Sequence, residues 1–138
     1  MKIHFLESGF AVADTVKPAD MARIKEQGFG AVICHRREGE DDYEGALVYA
    51  RAAESQGLEW VSIPVPSGEY SKADVDAFSE ALENSASPVL GFCRTGRRAV
   101  HMWAQSKAKD PQCSVTMLLD AAQAAGHDPQ LVKDILES

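Results

Sequence analysis

Three observations predict an α/β fold with a mostly parallel central sheet flanked by helices. Short apolar runs alternate with longer segments of helical period. Each run after the first follows one of those helical segments, as parallel crossover connections require. The length of 138 residues, with 45% apolar and 25% charged side chains, is that of one ordinary soluble domain, and residues 1–138 are read as a single unit.

The strands are expected near Phe10–Ala13, Gly30–Cys34, Trp60–Pro64 and Val89–Phe92. The first helix should start at Pro18, whose fixed φ and missing N–H suit a first helical turn, and stop at Gly28. Met21 and Ile24 would face the sheet. The second, about Tyr43 to Gln56, places Leu47, Ala50 and Ala53 or Glu54 on one stripe and ends at Gly57. The third opens on Ser71 and Asp74, which resemble a capping box, before Val75, Phe78 and Leu82 at helical spacing. A fourth runs from about Arg98 to Lys109 with Val100, Trp103 and Ala104, until Asp110-Pro111 interrupts it. Two short helices, about Ser114–Ala125 and Pro129–Glu137, close the chain around Gly126-His127-Asp128.

A chain of this size buries roughly two-thirds of its unfolded surface, so its core needs neither metal nor disulfides. Three cysteines, Cys34, Cys93 and Cys113, are an odd number without paired spacing, and no metal or other cofactor is expected. They fit a reducing compartment. The start Met1-Lys2-Ile3-His4-Phe5 lacks the apolar core of a signal peptide, and no run approaches a membrane span, so a cytoplasmic location without membrane contact is expected. A net charge of −7 argues against nucleic-acid binding. Against it, three arginines among Arg94 to Arg98 reverse the sign locally and imply a small anionic ligand.

The apolar strand Val89-Leu90-Gly91-Phe92 would deliver Cys93 to the carboxyl end of the sheet, where α/β proteins place ligands. The residues that follow turn into a helix N-terminus, so backbone N–H groups and the positive helix end converge on whatever the loop holds. Such surroundings lower a thiol's pKa from about 8.5 towards 3.5–7.5, which makes Cys93 the expected nucleophile. Gly96 permits the left-handed backbone of an anion nest, and Arg98 can offer a two-pronged fork to an oxyanion. A lone cysteine is more often a buried, inert core residue. The strand, the glycine, the arginines and the helix together favour the site instead.

Cys93-Arg94-Thr95-Gly96-Arg97-Arg98 resembles the active-site loop of rhodanese-like sulfurtransferases. Less closely it resembles the signature loop of protein tyrosine phosphatases, which have five residues between Cys and Arg where this chain has four, Arg94 to Arg97. Over nearly its whole length the chain resembles the bacterial beta-lactamase-hydrolase-like, phosphatase-like family. The landmarks are Phe10–Ala13, Gly28–Ile33, Ile63-Pro64-Val65 before Ser67-Gly68, and the Cys93 loop. The resemblance implies a tyrosine-phosphatase-like fold, Cys93 as nucleophile, Arg98 as oxyanion clamp and Arg36 as a rim residue. It also implies association with sulfide-oxidation enzymes. Two departures stand out: Ala99 where relatives often carry Ser or Thr, and Phe92 where phosphatases favour His.

Those departures bear on the reaction. Phosphatases use a hydroxyl after the arginine and an aspartate that protonates the leaving group; here Ala99 has no hydroxyl and Glu69 is the only carboxylate between Pro64 and Tyr70. Glu69 is the candidate acid, although it reads equally as solvated loop charge. Sulfur transfer needs neither group. The Cys93 thiolate takes sulfur from thiosulfate or a persulfide, and a thiol acceptor removes it. The sequence therefore ranks sulfur transfer first, hydrolysis of a phosphate ester through phosphocysteine second, and a non-catalytic anion or phosphopeptide module third. Cys34 reads as a packed strand end before it reads as a resolving thiol, which arsenate reduction would need. The Glu38–Asp42 run reads as a solvated acidic loop, and His101 as helix surface or packing.

Overall fold

A computed structural model describes residues 1–137. Strands β1 (Ile3–Glu7), β2 (Phe10–Ala13), β3 (Ala31–Cys34), β4 (Glu59–Ser62) and β5 (Val89–Phe92) form one sheet in the order β1-β2-β5-β3-β4. The last four in that order run parallel, and β1 lies antiparallel along β2. The expected mostly parallel α/β arrangement is what the chain adopts. β2, β3 and β5 are buried at every position, as parallel strands covered on both faces must be.

β1 is absent from the sequence reading. Its residues are largely exposed except Leu6, and its register slips between Phe5 and Glu7, so it carries neither a continuous apolar run nor a clean alternation. The helices lie close to their expected places: α1 (Met21–Glu26) after a 3-10 turn at Pro18–Asp20, α2 (Ala46–Ser55), α3 (Lys72–Asn84), α4 (Arg97–Lys107), α5 (Val115–Ala124) and α6 (Pro129–Glu137). α2 is shorter than expected because Gly45 at φ +99° breaks the backbone before Ala46. Its buried stripe is Tyr49 and Ala53; Leu47, assigned inward from sequence, is 64% exposed. α3 opens as expected, with the Asp74 N–H donating to Ser71 Oγ at 3.0 Å.

Two apolar layers sandwich the sheet. Phe10, Val12, Ile33 and Val89 face α3 to α6, while Ala11, Val32, Leu90 and Phe92 face α1 and α2. Phe92 belongs to the second layer, stacked on Tyr49 at 5.8 Å and beside Trp60 at 6.1 Å, so a histidine there would lose apolar contact. α4 is sunk in the first layer, with every residue from Arg98 to Ala104 buried. Gly91 allows this: a Cβ there would fall 2.6 Å from the Phe10 ring and 3.5 Å from the Ala99 methyl. No described helix is long and apolar enough to cross a membrane.

Candidate active site

β5 lies between β2 and β3, so Cys93 leaves the sheet beside the carboxyl end of β3. The ladder continues past the strands: the His35 N–H donates to the Phe92 carbonyl at 3.0 Å, Ile63 N–H to Cys34 at 2.9 Å, and Val65 N–H to His35 at 3.2 Å. Three strand ends therefore gather Cys93, His35-Arg36 and Ile63–Val65 around one point.

The loop closes on the cysteine. Cys93 is 1% exposed, and its sulfur accepts the Gly96 N–H at 3.1 Å. Gly96 stands at φ +90° just before α4, the left-handed backbone that favours glycine, and a Cβ there would crowd the His127 ring at 3.0 Å. The Arg97 N–H donates to Thr95 Oγ1 at 3.4 Å. Arg94, Thr95 and Arg97 are exposed, whereas Arg98 is 8% exposed.

Arg98 is held by four acceptors. Its Nη1 donates to the His35 carbonyl at 3.1 Å, the Val65 carbonyl at 3.0 Å and Glu40 Oε2 at 2.7 Å, and its Nη2 to Glu40 Oε1 at 2.8 Å. This leaves the Nε–H and one Nη2–H edge of the guanidinium for an incoming anion. The pairing holds the Glu40 carboxyl down at about 2 and keeps Arg98 charged.

Glu40 corrects the reading of 38–42 as a solvated loop. Its carboxylate also accepts the Arg37 N–H at 2.6 Å and Arg36 Nε at 3.4 Å, while Glu38 accepts the Ala46 N–H at 2.8 Å. Arg36 is corrected too. It is 2% exposed rather than on the rim, spent on Glu40 and the carbonyls of Asp41 and Asp42, with its guanidinium 5.1 Å from the Tyr43 ring. The loop thus folds around two buried guanidiniums, an arrangement the residue order alone does not show.

Glu69 is exposed, and Cys34 is fully buried. The Cys34 thiol donates to the Tyr43 hydroxyl at 3.7 Å, its sulfur accepts the Arg36 N–H at 3.4 Å, and burial pushes its pKa up to about 11. A neutral, enclosed thiol makes a poor resolving partner. Cys113 is half-buried and unpaired among the described residues.

Two histidines near the site are neutral for the same reason. Burial pushes both His35 and His101 down to about 4 from the ordinary 6.5. His35 Nδ1 donates to the Ile63 carbonyl at 3.0 Å, and His101, expected as helix surface or packing, is packed inside at 3% exposure. Between pH 6.5 and 4 the unfolded chain binds protons that the folded chain refuses, so stability is full above 6.5 and falls on acidification. The slope is roughly 1.4 kcal/mol per pH unit for each histidine. Glu40 steepens it below 4.5. Urea unfolding at pH 7 and pH 5 should show this loss; equal midpoints would contradict the buried, neutral assignment.

A mostly parallel α/β sheet whose central strand ends in a buried cysteine, with the Gly96 N–H on its sulfur and a buried arginine in the first turn of the next helix, has the tyrosine-phosphatase-like fold. Within it, this chain belongs to the family described as beta-lactamase hydrolase-like protein, phosphatase-like domain, whose model matches residues 2–110. A beta-lactamase hydrolase-like protein of Agrobacterium fabrum is 26% identical over 129 residues, 93% of this chain; the chain spans only 30% of the length of that relative. The structure is similar to that of a candidate phosphatase from Neisseria meningitidis, with a TM-score of 0.81 and 25% identity over 98% of this chain and 99% of the other. It shares its fold with P. aeruginosa TpbA, solved in complex with pTyr, at a TM-score of 0.70 and 13% identity over 98% of this chain and 80% of that one.

Proposed function

We propose that the chain is a cysteine-dependent phosphatase that cleaves phosphate monoesters through a phosphocysteine at Cys93. The observation that carries this reading is the double anchoring of Arg98. Glu40 and two carbonyls hold one part of the guanidinium, so its Nε–H and one Nη2–H stay free for an anion at the loop without reorganising. Family membership and the shared fold support phosphoryl transfer over the sulfur transfer that the sequence ranks first.

In this mechanism the Cys93 thiolate attacks phosphorus in line, and the P–O bond to the leaving group breaks with its electron pair on oxygen. The N–H groups of the 94–98 loop and the free Arg98 edge bind the equatorial oxygens, where charge is spread in the transition state. Glu69 or water supplies the proton to the leaving oxygen. Water then attacks the phosphocysteine, releasing phosphate and the thiolate.

Sulfur transfer stays as a second reading because Ala99 is fully buried against Gly91 and puts no hydroxyl beside the sulfur. The Cys93 thiolate would attack the outer sulfur of thiosulfate, sulfite would depart with the S–S electron pair, and a thiol acceptor would remove the persulfide sulfur. On that reading sulfide-oxidation enzymes are the expected partners. The test is a direct comparison on purified protein: aryl phosphate hydrolysis against thiocyanate formation from thiosulfate and cyanide, with mass spectrometry of the Cys93 peptide. Faster hydrolysis and a phosphorylated Cys93 are expected. A persulfide at Cys93 with thiocyanate as the main product would install sulfur transfer instead, and tight anion binding without turnover would leave a binding module.

A further inference from the structure

The segment from Val65 to Tyr70 connects the end of the β4 ladder to the cap of α3, and both its ends are fastened to α4. At its start the Val65 carbonyl accepts Arg98 Nη1 at 3.0 Å. At its finish the Tyr70 hydroxyl lies 2.7 Å from His101 Nδ1, the two rings meeting edge to face at 5.5 Å. Arg98 and His101 are three residues apart on α4 and so lie on one face, one turn from each other. The segment is therefore a strap across the first turn of α4, with Pro66 to Glu69 exposed between the fastenings. Its second fastening is thus one helical turn from Arg98, the residue that holds the first and that follows the Cys93 loop.

The Tyr70 oxygen accepts the Gly68 N–H at 3.1 Å, which leaves its own proton to be donated to His101 Nδ1 in the tautomer whose Nδ1 is unprotonated. The ring proton then sits on Nε2, a buried nitrogen without a hydrogen-bond partner among the described residues. A leucine or methionine would fill this interior position without burying an unmet N–H. Among the described residues, the one polar contact the imidazole makes is to the strap. Burial and the charge of Arg97 keep the ring neutral, the state in which Nδ1 can accept.

We propose that Tyr70 and His101 are positioning residues for the reaction at Cys93, their hydrogen bond latching the 65–70 strap over the cradle. The kinetic part of this inference rests on the phosphoryl-transfer reading; the latch itself does not. Tyr70→Phe keeps the ring and removes the hydroxyl, His101→Leu removes the acceptor, and His101→Asn keeps an oxygen near the Nδ1 position. Two readouts are needed: steady-state hydrolysis of an aryl phosphate, and the rate at which iodoacetamide alkylates Cys93, which is 1% exposed in the latched state.

Tyr70→Phe and His101→Leu should each lower kcat on the order of tenfold, less than the 10²-fold cost of displacing a reacting group itself. Both should speed alkylation of Cys93 while the melting temperature stays within a few degrees. His101→Asn should restore most of both properties, and the double variant Tyr70→Phe/His101→Leu should lose no more than either single one, because each breaks the same bond. Unchanged alkylation and kcat in Tyr70→Phe, or additive losses in the double variant, would overturn the latch. Wild-type protein without phosphatase turnover would remove the phosphoryl-transfer reading alone, and the alkylation rates would still decide the latch.

Discussion

Cys93→Ser should abolish turnover, with a loss on the order of 10⁴-fold or more, as when a covalent enzyme loses its nucleophile. The serine hydroxyl is smaller than the thiol and can still accept the Gly96 N–H, so the loop has no steric reason to rearrange. Circular dichroism and the melting temperature should therefore match wild type while product formation stops. Cys34→Ser should behave in the opposite way. Its hydroxyl can pair with Tyr43 and the Arg36 N–H, but it enters a fully buried site in the α1–α2 layer, so stability should drop while kcat is kept. A Cys93→Ser protein that still turns over substrate would refute the assignment of nucleophile. Loss of activity in Cys34→Ser at unchanged stability would give the second thiol a role that the structure does not provide.

The features legible in the sequence are those set by local chemistry. The parallel strands β2, β3 and β5 announce themselves as apolar runs between helical segments because both of their faces are covered, and β4, half-exposed at the sheet edge, is marked by the shorter run around Trp60 and Val61. Pro18, Ser71 and the glycines after α1 and α2 mark helix ends through backbone geometry alone. The Cys93 loop is contiguous, so strand, nest and helix can be read together from residues 89 to 98. β1 fails the same test: it is an edge strand with one buried residue, held by pairing to β2 that no local pattern records.

The parts of the site that escape the sequence are contributed from a distance. Glu40 is 58 residues from Arg98, and nothing in Glu38–Asp42 separates the carboxylate that folds inward from those that stay in water. The available signal is a charge argument: Arg98 and Arg36 cannot be buried without a counter-ion, and an acidic run follows β3 at the edge where Cys93 emerges. Tyr70 and His101 are 31 residues apart, and their pairing depends on α3 and α4 packing side by side. Ala99 is legible as a departure from relatives, but its cause, the close approach of α4 to Gly91, appears only in three dimensions.

Arg98→Lys should cost 10²- to 10³-fold in kcat/KM for an aryl phosphate, the scale of losing one preorganised donor to a developing oxyanion. The four acceptors now served by two Nη atoms, His35 O, Val65 O and both Glu40 oxygens, cannot all be reached by one ammonium with three protons. Lysine would either stay with Glu40 and leave the cradle or reach the anion and strand a buried carboxylate. Glu40→Gln separates these outcomes. It keeps the side-chain shape and one acceptor while removing the charge that orients Arg98, so it should lower kcat/KM by roughly tenfold, as a neutral hydrogen bond replaces a charged one. Inhibition by inorganic phosphate reports the same edge without chemistry. Its inhibition constant should rise in both variants and more in Arg98→Lys. Near-wild-type kinetics and phosphate inhibition in Arg98→Lys would remove Arg98 from the anion site and leave it as a structural tie between β3, the 65–70 strap and Glu40.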